Sequence, residues 1–370
     1  MKVYFSGRIA GSYRAQNIIK TFSDARIAYS YIDYAFLSFK SSKRYLRKLI
    51  TLLLTSLTAP IRIFLIARSS HIFVLPMNKS VIVLAEIFLG KLLNKKIIVD
   101  YYISHYDALV NDQKSVSKKS ITAKKILFLD RGFMKASDIV IFLNEAESEY
   151  YQKVAGLKLT SEKIKIIPLC IDYKRELFVN ERKATENFNV CWWGTYIPLH
   201  GLENLIKAFE HIKNHNINLY LFGDSDEKAA PYLALIESLG LSEKIKINNK
   251  FRFANGLLAP FLAQQCHLAI GNFGDSDKAK TVLVNKLVDA LSLGIPCLTM
   301  KTRATSELLA NNEGLIIVDP VPEAIAREIQ RAASDLAALK EIGQTGKAKY
   351  LELFSPDSFK IKILGLLQQC

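Results

Sequence analysis

The sequence predicts an α/β protein with two doubly wound, Rossmann-like domains that face a central cleft. A chain of 370 residues is too long for one ordinary core. Short apolar runs alternate with helical patterns almost throughout, and one charged segment near residue 180 interrupts this alternation. The runs are continuously apolar, which is typical of parallel strands covered by helices on both faces. Two such series joined by a linker predict two domains.

Six strands are predicted in the first half of the chain. They are residues 2–7, 25–32, 71–76, 96–102, 138–144 and 163–169. Residues 81–93 and 121–136, which lie between strands, have the spacing of helices. This series predicts an N-terminal domain over residues 1–172.

A charged segment with little apolar periodicity, residues 173–187, predicts a linker. Six further strands are predicted after it, at residues 188–194, 217–223, 244–248, 267–273, 296–300 and 314–320. Helical patterns over 322–352 and 356–369 close the chain. The second domain is therefore placed at 188–353. We expect the helix within 354–370 to pack back on the N-terminal domain.

The excess positive charge lies entirely in the first half. Residues 1–180 hold 29 Lys and Arg against 14 Asp and Glu, whereas residues 181–370 hold 21 of each. This asymmetry suggests a polyanionic partner: nucleic acid, an anionic membrane surface or phosphorylated substrates. No nucleic-acid-binding motif is recognisable, so we expect no nucleic acid.

A basic segment at residues 40–48 precedes an apolar run at 49–61. Its cations are Lys40, Lys43, Arg44, Arg47 and Lys48. The segment fits a helix that lies on anionic headgroups, and it fits almost as well the solvated start of a buried helix. The apolar run is too short to span a bilayer comfortably.

The cysteines and the N-terminal residues predict the cellular location of the protein. The five cysteines show no CxxC or metal-ligand spacing, which predicts reduced core thiols in a cytosolic protein. The first residues, MKVYFSG, read as a strand and lack the apolar region of a signal peptide. We therefore expect a cytoplasmic protein. With the basic segment, the expectation is a protein that is peripheral on the cytoplasmic face of the inner membrane.

The first chemical motif lies at the end of a predicted strand, in NVCWWGTYIPLHG (189–201). Gly194 ends the strand where a Cβ would crowd a ligand, and Gly201 allows the backbone to approach at the start of the next helix. Thr195 and His200 can donate hydrogen bonds to a diphosphate. The alternative is an ordinary turn with glycines for packing. Trp192 and Trp193 are predicted to pack in the core.

A second motif covers residues 271–299. Lys278 and Lys286 have the charge to neutralise phosphates, and Asp289 can accept hydrogen bonds from ribose hydroxyls. Lys286 and Asp289 are three residues apart and share a helix face, so the alternative is a solvated ion pair. The DSD sequence at 275–277 is interpreted as a loop feature, and we expect no metal.

These stretches resemble a known family. GTYIPLHGLENLIKAF (194–209) and FGDSDKAKTVLVNKLVDALSLGIPCLT (273–299) are similar to the C-terminal domain of family 4 (group 1) glycosyltransferases of the GT-B fold, in a bacterial surface-polysaccharide branch. DYYISHYDALVNDQK (100–114) and LDRGFMKASD (129–138) also resemble that branch. The resemblance implies a retaining enzyme that moves a sugar from a nucleotide diphosphate donor to a lipid-linked or growing surface glycan, without a cofactor. The N-terminal domain would take the acceptor.

The resemblance also assigns site residues. Those placed around the donor diphosphate and sugar are Gly194, Thr195, His200, Gly201, Lys278, Lys280, Asn285 and Lys286. Asp289 takes the position that holds the ribose. Asp107 is placed on the acceptor side, although a carboxylate there also fits a helix cap. Catalytic roles fall to Asp107, His200 and Lys286.

Two departures from the family pattern keep other functions open. Thr281 and Asp289 stand where many members have two glutamates. Thr195 and His200 replace the usual Arg and Lys, which weakens phosphate neutralisation. A non-catalytic partner or scaffold in a polysaccharide assembly complex, or a nucleotide-sugar epimerase, therefore remains as an alternative.

Overall fold

The structure is a computed structural model that describes residues 1–9, 11–32, 44–76, 80–171 and 187–369, with the backbone alone at 44–52. It forms two compact units. Unit 1 comprises Met1–Cys170 and the end of the chain from Phe359, and unit 2 comprises Ile171–Ser358. The predicted linker falls outside the described residues except for Asn187, as do Lys40 and Lys43 of the basic segment and the side chains of Arg44, Arg47 and Lys48.

Unit 1 contains one parallel sheet, and each predicted strand of the first half is present. The strands are β1 (Lys2–Ser6), β2 (Ala28–Tyr31), β3 (His71–Val74), β4 (Lys96–Asp100), β5 (Ile139–Phe142) and β6 (Ile164–Ile166). Their order in the sheet is β2-β1-β3-β4-β5-β6. The central strands are buried on both faces, which explains their continuously apolar sequences.

Helices cover both faces of this sheet. They are α1 (Tyr13–Asp24), α2 (Arg44–Ala67), α3 (Val81–Leu92), α4 (Ile121–Ala136) and α5 (Glu145–Ala155). Ser80 and Ser120 begin α3 and α4 because their side chains accept hydrogen bonds from the backbone N–H three residues on. Helices α2, α3 and α4 share one core cluster, which includes Ile66, Ile87 and Phe133.

Unit 2 contains a second parallel sheet, again with every predicted strand. The strands are β7 (Phe188–Trp193), β8 (Ile217–Phe222), β9 (Ile245–Ile247), β10 (Leu268–Ile270), β11 (Cys297–Thr299) and β12 (Leu315–Ile317). The order β12-β11-β10-β7-β8-β9 is that of a Rossmann sheet. The chain reverses its winding between the neighbouring strands β7 and β10, and ligands bind beyond the carboxyl ends of strands at such a point.

In the part of unit 2 that the structure describes, seven helices flank the second sheet. They are α6 (Leu202–Ala208), α7 (Asp226–Ser238), α8 (Leu258–Gln265), α9 (Asn285–Ser292), α10 (Arg303–Leu308), α11 (Pro322–Ser334) and α12 (Leu336–Leu353). The helical pattern at 322–352 is two helices, because the backbone leaves the helical conformation at Asp335. The Asp335 side chain then accepts a hydrogen bond from the Ala338 N–H and begins α12.

The last helix, α13 (Pro356–Gln368), belongs mostly to unit 1. It buries Phe359, Ile363, Leu366 and Leu367 in a core cluster that also contains Val3 and Phe5 of β1. Among the described residues, none of the helices combines the length and hydrophobicity required to cross a bilayer.

Candidate functional site

Two loops meet at the point where the winding of the second sheet reverses. One follows β7 and begins at Gly194, and the other follows β10 and begins at Gly271. The Phe273 N–H donates a 3.0 Å hydrogen bond to the His200 carbonyl, which joins the loops. The two motifs identified separately in the sequence therefore form one site at the carboxyl edge of the sheet.

Gly201 is required for the contact between these loops. Its φ is +58°, and a Cβ there would lie 2.4 Å from the carbonyl carbon and oxygen of Phe273. The space at Gly201 is thus filled by backbone, as the packing interpretation of this glycine expects. A single 3₁₀ turn, Pro198–His200, precedes Gly201, and α6 begins only at Leu202.

Lys286 is a buried cation at the centre of the site. It is the second residue of α9 and is 4% exposed. Its Nζ lies 4.4 Å from the centroid of the Trp192 ring, and it has no hydrogen-bond partner in the described chain. Burial lowers the pKa of the Lys286 ammonium well below its ordinary value. An anion that reached Nζ would accept the hydrogen bonds that this buried ammonium does not make within the described residues.

Gly194 and His200 complete the surroundings of Lys286. A Cβ on Gly194 would lie 3.5 Å from Nζ of Lys286 and 3.6 Å from Nε2 of His200, so the glycine leaves both groups uncovered on that side. His200 is 8% exposed, and within the described residues its Nδ1 has no hydrogen-bond partner. Burial, with a smaller effect of Lys286 and Lys278, lowers the pKa of His200 well below its ordinary value. The imidazole is therefore neutral at pH 7.

Asp289 is also buried, and it is fixed by a tryptophan. Its Oδ2 accepts a 2.8 Å hydrogen bond from Nε1 of Trp193. Asp289 is 6% exposed, so the solvated Lys286–Asp289 ion pair considered from the sequence is wrong. Trp192 and Trp193 are core residues as predicted, and they also contact Lys286 and Asp289.

The other predicted donor-binding residues differ in exposure. Lys278 is buried and lowers the pKa of His200 through its charge. Lys280, Asn285 and Thr195 are exposed, and Lys280 pairs with Asp275 at 2.6 Å. The Thr281 hydroxyl donates to the carbonyls of Asp277 and Lys278. No group of three or more His, Cys, Asp or Glu side chains is placed to hold a metal ion in the part of the chain described.

Tyr196 supports the site, and sequence reasoning missed it. Its ring stacks on Trp192 at 5.4 Å and its hydroxyl donates to Asn249 at 2.8 Å. A Cβ on Gly223 would lie 1.9 Å from the Tyr196 ring, so the glycine after β8 makes room for it. The signal in the sequence was an aromatic residue three positions after the end of β7. Its partners, 53 residues away in the case of Asn249, could not be read from spacing.

Residues of the two N-terminal motifs, 100–114 and 129–138, make buried contacts within unit 1. Asp100 pairs with Arg14 at 2.8 Å, and both side chains are fully buried. Asp130 accepts hydrogen bonds from the Ser104 hydroxyl and the Tyr106 N–H. These contacts give Asp100, Ser104 and Asp130 a structural role in unit 1.

Asp107 lies in a short π-helix, Asp107–Asp112, and is 0% exposed. Its Oδ1 accepts hydrogen bonds from the Tyr150 hydroxyl at 2.5 Å and from Nδ2 of Asn111 at 3.0 Å. The side chain therefore joins the π-helix to α5. Its contact with an acceptor or a transferred sugar stays a prediction.

A comparison with protein families identifies the second unit. Residues 187–335 match the model of the family described as "Glycosyl transferases group 1". These residues form a group 1 glycosyltransferase domain. The matched range contains both loops of the site and every predicted donor-binding residue. A sequence comparison with curated proteins gives no match.

Solved structures extend the likeness to the whole chain. Sucrose-phosphate synthase from Thermosynechococcus elongatus has a TM-score of 0.70 at 14% identity, and the alignment covers 100% of this chain and 98% of that one. HepE from Anabaena, solved with UDP-glucose, has a TM-score of 0.66 at 16% identity with 100% and 99% covered. The lipopolysaccharide outer core galactosyltransferase WaaB, in its apo form, has 0.63 at 10% identity with 100% and 99% covered. The solved structures confirm the predicted GT-B fold. The group 1 match of residues 187–335 supports the prediction of a glycosyltransferase.

Proposed function

We propose that the protein is a retaining family 4 glycosyltransferase that transfers a sugar from a nucleotide diphosphate donor to a lipid-linked or growing surface glycan, such as O-antigen or capsule. One observation carries the donor part of this proposal. Lys286 holds a buried Nζ against Trp192 without a hydrogen-bond partner in the described residues, at the carboxyl edge of a Rossmann sheet. A buried cation is costly unless it is paired, and a diphosphate is the partner that this position fits.

The chemistry of glycosyl transfer accounts for the residues around Lys286. The transition state resembles an oxocarbenium ion, and negative charge grows on the departing diphosphate. Fixed cations and N–H donors aimed at that charge supply much of the catalysis. In this proposal the ammonium groups of Lys286 and Lys278 neutralise the negative charge of the diphosphate. The neutral imidazole of His200 donates one N–H to a phosphate oxygen, and Gly194 leaves room for both contacts.

Asp289 is proposed to accept hydrogen bonds from the ribose hydroxyls of the donor. Its Oδ2 is held by Trp193, so its carboxylate is oriented before a ligand binds. HepE, which has the same fold, was solved with UDP, with UDP and glucose, and with UDP-glucose, and this supports a nucleotide sugar as the donor here. We propose no metal or other cofactor.

The acceptor is proposed from the charge of unit 1. Relatives in fold include a lipopolysaccharide galactosyltransferase and also sucrose-phosphate and trehalose-phosphate synthases, so the fold does not choose an acceptor. The basic first half of the chain favours a diphosphate-linked lipid at an anionic surface. The protein would then work as a peripheral protein on the cytoplasmic face of the inner membrane.

A thermal-shift screen of nucleotide sugars tests the donor site. A ligand at 100 times its dissociation constant stabilises the folded protein by about 2.7 kcal/mol. We expect one or a few nucleotide diphosphate sugars to raise the melting temperature of wild type and of Lys340→Met, a control on the exposed surface of α12. The Lys286→Met variant should lose the shift. If Lys286→Met keeps the full shift, the donor site lies elsewhere.

A transfer assay then separates the enzyme from its alternatives. The donor found in the screen is incubated with membrane lipid extracts, and the anomeric configuration of the product is compared with that of the donor by NMR. Retention in a lipid-linked product supports the proposal. Donor binding without transfer would favour the non-catalytic partner, and conversion of the free nucleotide sugar would favour the epimerase.

A further inference from the structure

Three neighbouring helices of unit 1 expose a set of large apolar side chains. Each of these side chains is more than half exposed. They are Leu53, Leu57, Ile61, Ile63 and Phe64 on α2, Val81, Phe88 and Leu92 on α3, and Ile121 and Phe128 on α4. We call these residues the outer helix face. Single exposed apolar residues are ordinary, but monomeric proteins rarely expose large contiguous groups of them.

The three helices lie side by side and point this face away from the sheet. Helix α3 packs between α2 and α4. Gly132 of α4 faces Leu84 of α3, where a Cβ would be 3.1 Å from the leucine side chain. On the other side, Arg62 of α2 pairs with Glu86 of α3 at 3.7 Å. Because all three helices bury their inner residues in one core cluster, their exposed stripes form one surface.

The three helices of this surface carry exposed cations but no exposed carboxylate. The sequences of α2, α3 and α4 contain only two acidic residues, Glu86 and Asp130, and both are buried. Exposed cations lie beside the apolar residues. Arg68, directly after α2, stacks on the Phe64 ring at 4.3 Å, and Lys124, Lys125 and Lys135 are exposed on α4.

We infer that the outer helix face is a docking surface for an anionic lipid bilayer. A surface of this kind places apolar side chains at the boundary between headgroups and acyl chains, with its cations at the anionic headgroups. A second copy of the chain would bring two cationic surfaces together without acidic partners, which disfavours a dimer through this face. The inference rests on the proposed function for the membrane as partner, and on α2, α3 and α4 for the surface.

Vesicle flotation with matched variants tests the apolar contribution. The test variant is Leu92→Gln/Phe88→Gln/Phe128→Gln, which keeps good helix formers at exposed positions. The control is Leu233→Gln/Leu336→Gln/Leu351→Gln, at exposed apolar positions of unit 2. We expect wild type and control to float with vesicles of phosphatidylglycerol and phosphatidylcholine, and the test variant to bind at least tenfold more weakly. Equal flotation of test variant and wild type would overturn the inference, as would a wild type that does not float.

The cationic contribution has its own variant, Lys124→Gln/Lys125→Gln/Lys135→Gln. It should bind vesicles of phosphatidylglycerol and phosphatidylcholine several-fold more weakly than wild type, and raised salt should remove most of the difference. Binding by this variant that equals wild type at low salt would contradict the choice of an anionic bilayer.

An introduced tryptophan locates the surface without depending on a loss of binding. Leu92→Trp places an indole on the outer helix face, and Leu351→Trp is the control. The native Trp192 and Trp193 are buried, so brominated lipid should quench mainly the introduced indole. Quenching of Leu92→Trp but not of Leu351→Trp supports the surface, whereas equal quenching of both variants contradicts it.

Two further measurements keep this inference separate from the enzymatic proposal. Thermal stabilisation by the donor should be the same in the test variant and in wild type, because the substitutions lie in unit 1 and the donor site in unit 2. Sedimentation shows whether the face joins two copies instead. A wild-type dimer that the test variant converts to monomer, without vesicle binding by either, would replace the bilayer with a second copy.

Discussion

The indole Nε1 of Trp193 donates a 2.8 Å hydrogen bond to Oδ2 of Asp289, a residue 96 positions later in the chain. Trp193 is the last residue of β7, and Asp289 lies in α9, which follows β10. The bond therefore joins β7 to the helix that follows β10. These two strands are the neighbours between which the winding of the sheet reverses. It fixes one carboxylate oxygen of Asp289 before any ligand arrives.

Replacing Trp193 with Phe should weaken nucleotide binding and also the fold. The change removes one hydrogen bond from a buried carboxylate, and we expect a loss of about 1–3 kcal/mol in the free energy of unfolding. If Asp289 holds the ribose, affinity for the nucleoside diphosphate should fall several-fold, as measured by calorimetry.

Trp192→Phe is the matched control for this change. Nε1 of Trp192 has no hydrogen-bond partner among the described residues, so this variant removes ring area but no hydrogen bond. Equal losses of nucleotide affinity in the two variants would mean that the Trp193–Asp289 bond has no particular role in binding.

Lys286→Met should leave the free protein as stable as wild type or make it more stable. Lys286 is buried against an aromatic ring, and its charge has lost its hydration without gaining a hydrogen bond in the described residues. Methionine keeps most of the volume and removes the desolvation penalty. Donor affinity should fall by at least tenfold, since a charge-assisted contact to phosphate contributes about 1.5–3 kcal/mol.

Urea unfolding without ligand, together with donor titration, checks both halves of this expectation. A large loss of stability in Lys286→Met would show that the ammonium is paired in the free protein, and that the site is not prepared for an anion.

Binding of the nucleotide diphosphate sugar should be accompanied by proton uptake. Burial lowers the pKa of both Lys286 and His200 in the free protein, and a bound dianion raises the pKa of any neighbouring cation. A group whose pKa rises on binding takes up protons, so affinity should decrease as pH rises through the range between the free and bound pKa values.

Calorimetry in buffers of different ionisation enthalpy measures the number of protons taken up. Lys286→Met should reduce that number, and Lys340→Met should not. Proton release on binding, or uptake that is unchanged in Lys286→Met, would contradict the proposed contact between Lys286 and the diphosphate.

His200 predicts a second pH effect, on stability. Burial makes the pKa of His200 lower in the folded protein than in the unfolded chain. As the pH falls, the unfolded chain therefore binds a proton at this histidine before the folded protein does. Stability should therefore fall as pH drops below the ordinary histidine pKa of about 6.5. His200→Gln should flatten this part of the stability profile in urea unfolding between pH 7 and pH 5. An unchanged slope would mean that His200 titrates normally.

Gly201→Ala should be much more destabilising than Gly240→Ala. Both glycines have positive φ, at +58° and +65°, and a side chain there costs roughly 1–2 kcal/mol through backbone strain alone. At Gly240 no atom of the described residues lies within 4 Å of the added Cβ, whereas at Gly201 the Cβ would meet the Phe273 backbone at 2.4 Å.

Thermal unfolding of the two variants measures the difference. Gly201→Ala should also lose donor binding, because it separates the two loops of the site. If the two melting temperatures fall equally, the contact between the loops adds nothing to stability.

The strands could be predicted because each carries its own signal. KVYFS and FNVCWW consist mainly of apolar and aromatic residues, and each strand is buried with a neighbouring strand on both sides. The order of the strands in the sheet could not be predicted in the same way. Pairing between β7 and β10 joins residues that are about 80 positions apart, such as Val190 and Leu268. Local patterns do not encode such pairs.

The candidate site was predicted by residue type but not by environment. The spacing of Lys286 and Asp289 correctly placed them on one helix, yet the same spacing is found in solvated ion pairs. Only tertiary structure shows that Trp192 and Trp193 cover them. Likewise Asp107 was expected from its motif, but its bond to Tyr150 of α5 depends on how two helices pack.

The last helix has a consequence for the order in which the chain folds during synthesis. A ribosome delivers β1 long before α13, and the core around Val3 and Phe5 includes Phe359 and Ile363. The residues of unit 2, Ile171–Ser358, are synthesised between the two segments that make up unit 1. Part of the core of unit 1 therefore stays uncovered until the residues of unit 2 have been synthesised. Its completion is a late step with a high sequence separation, which makes that step slow and exposes the nascent chain to chaperones.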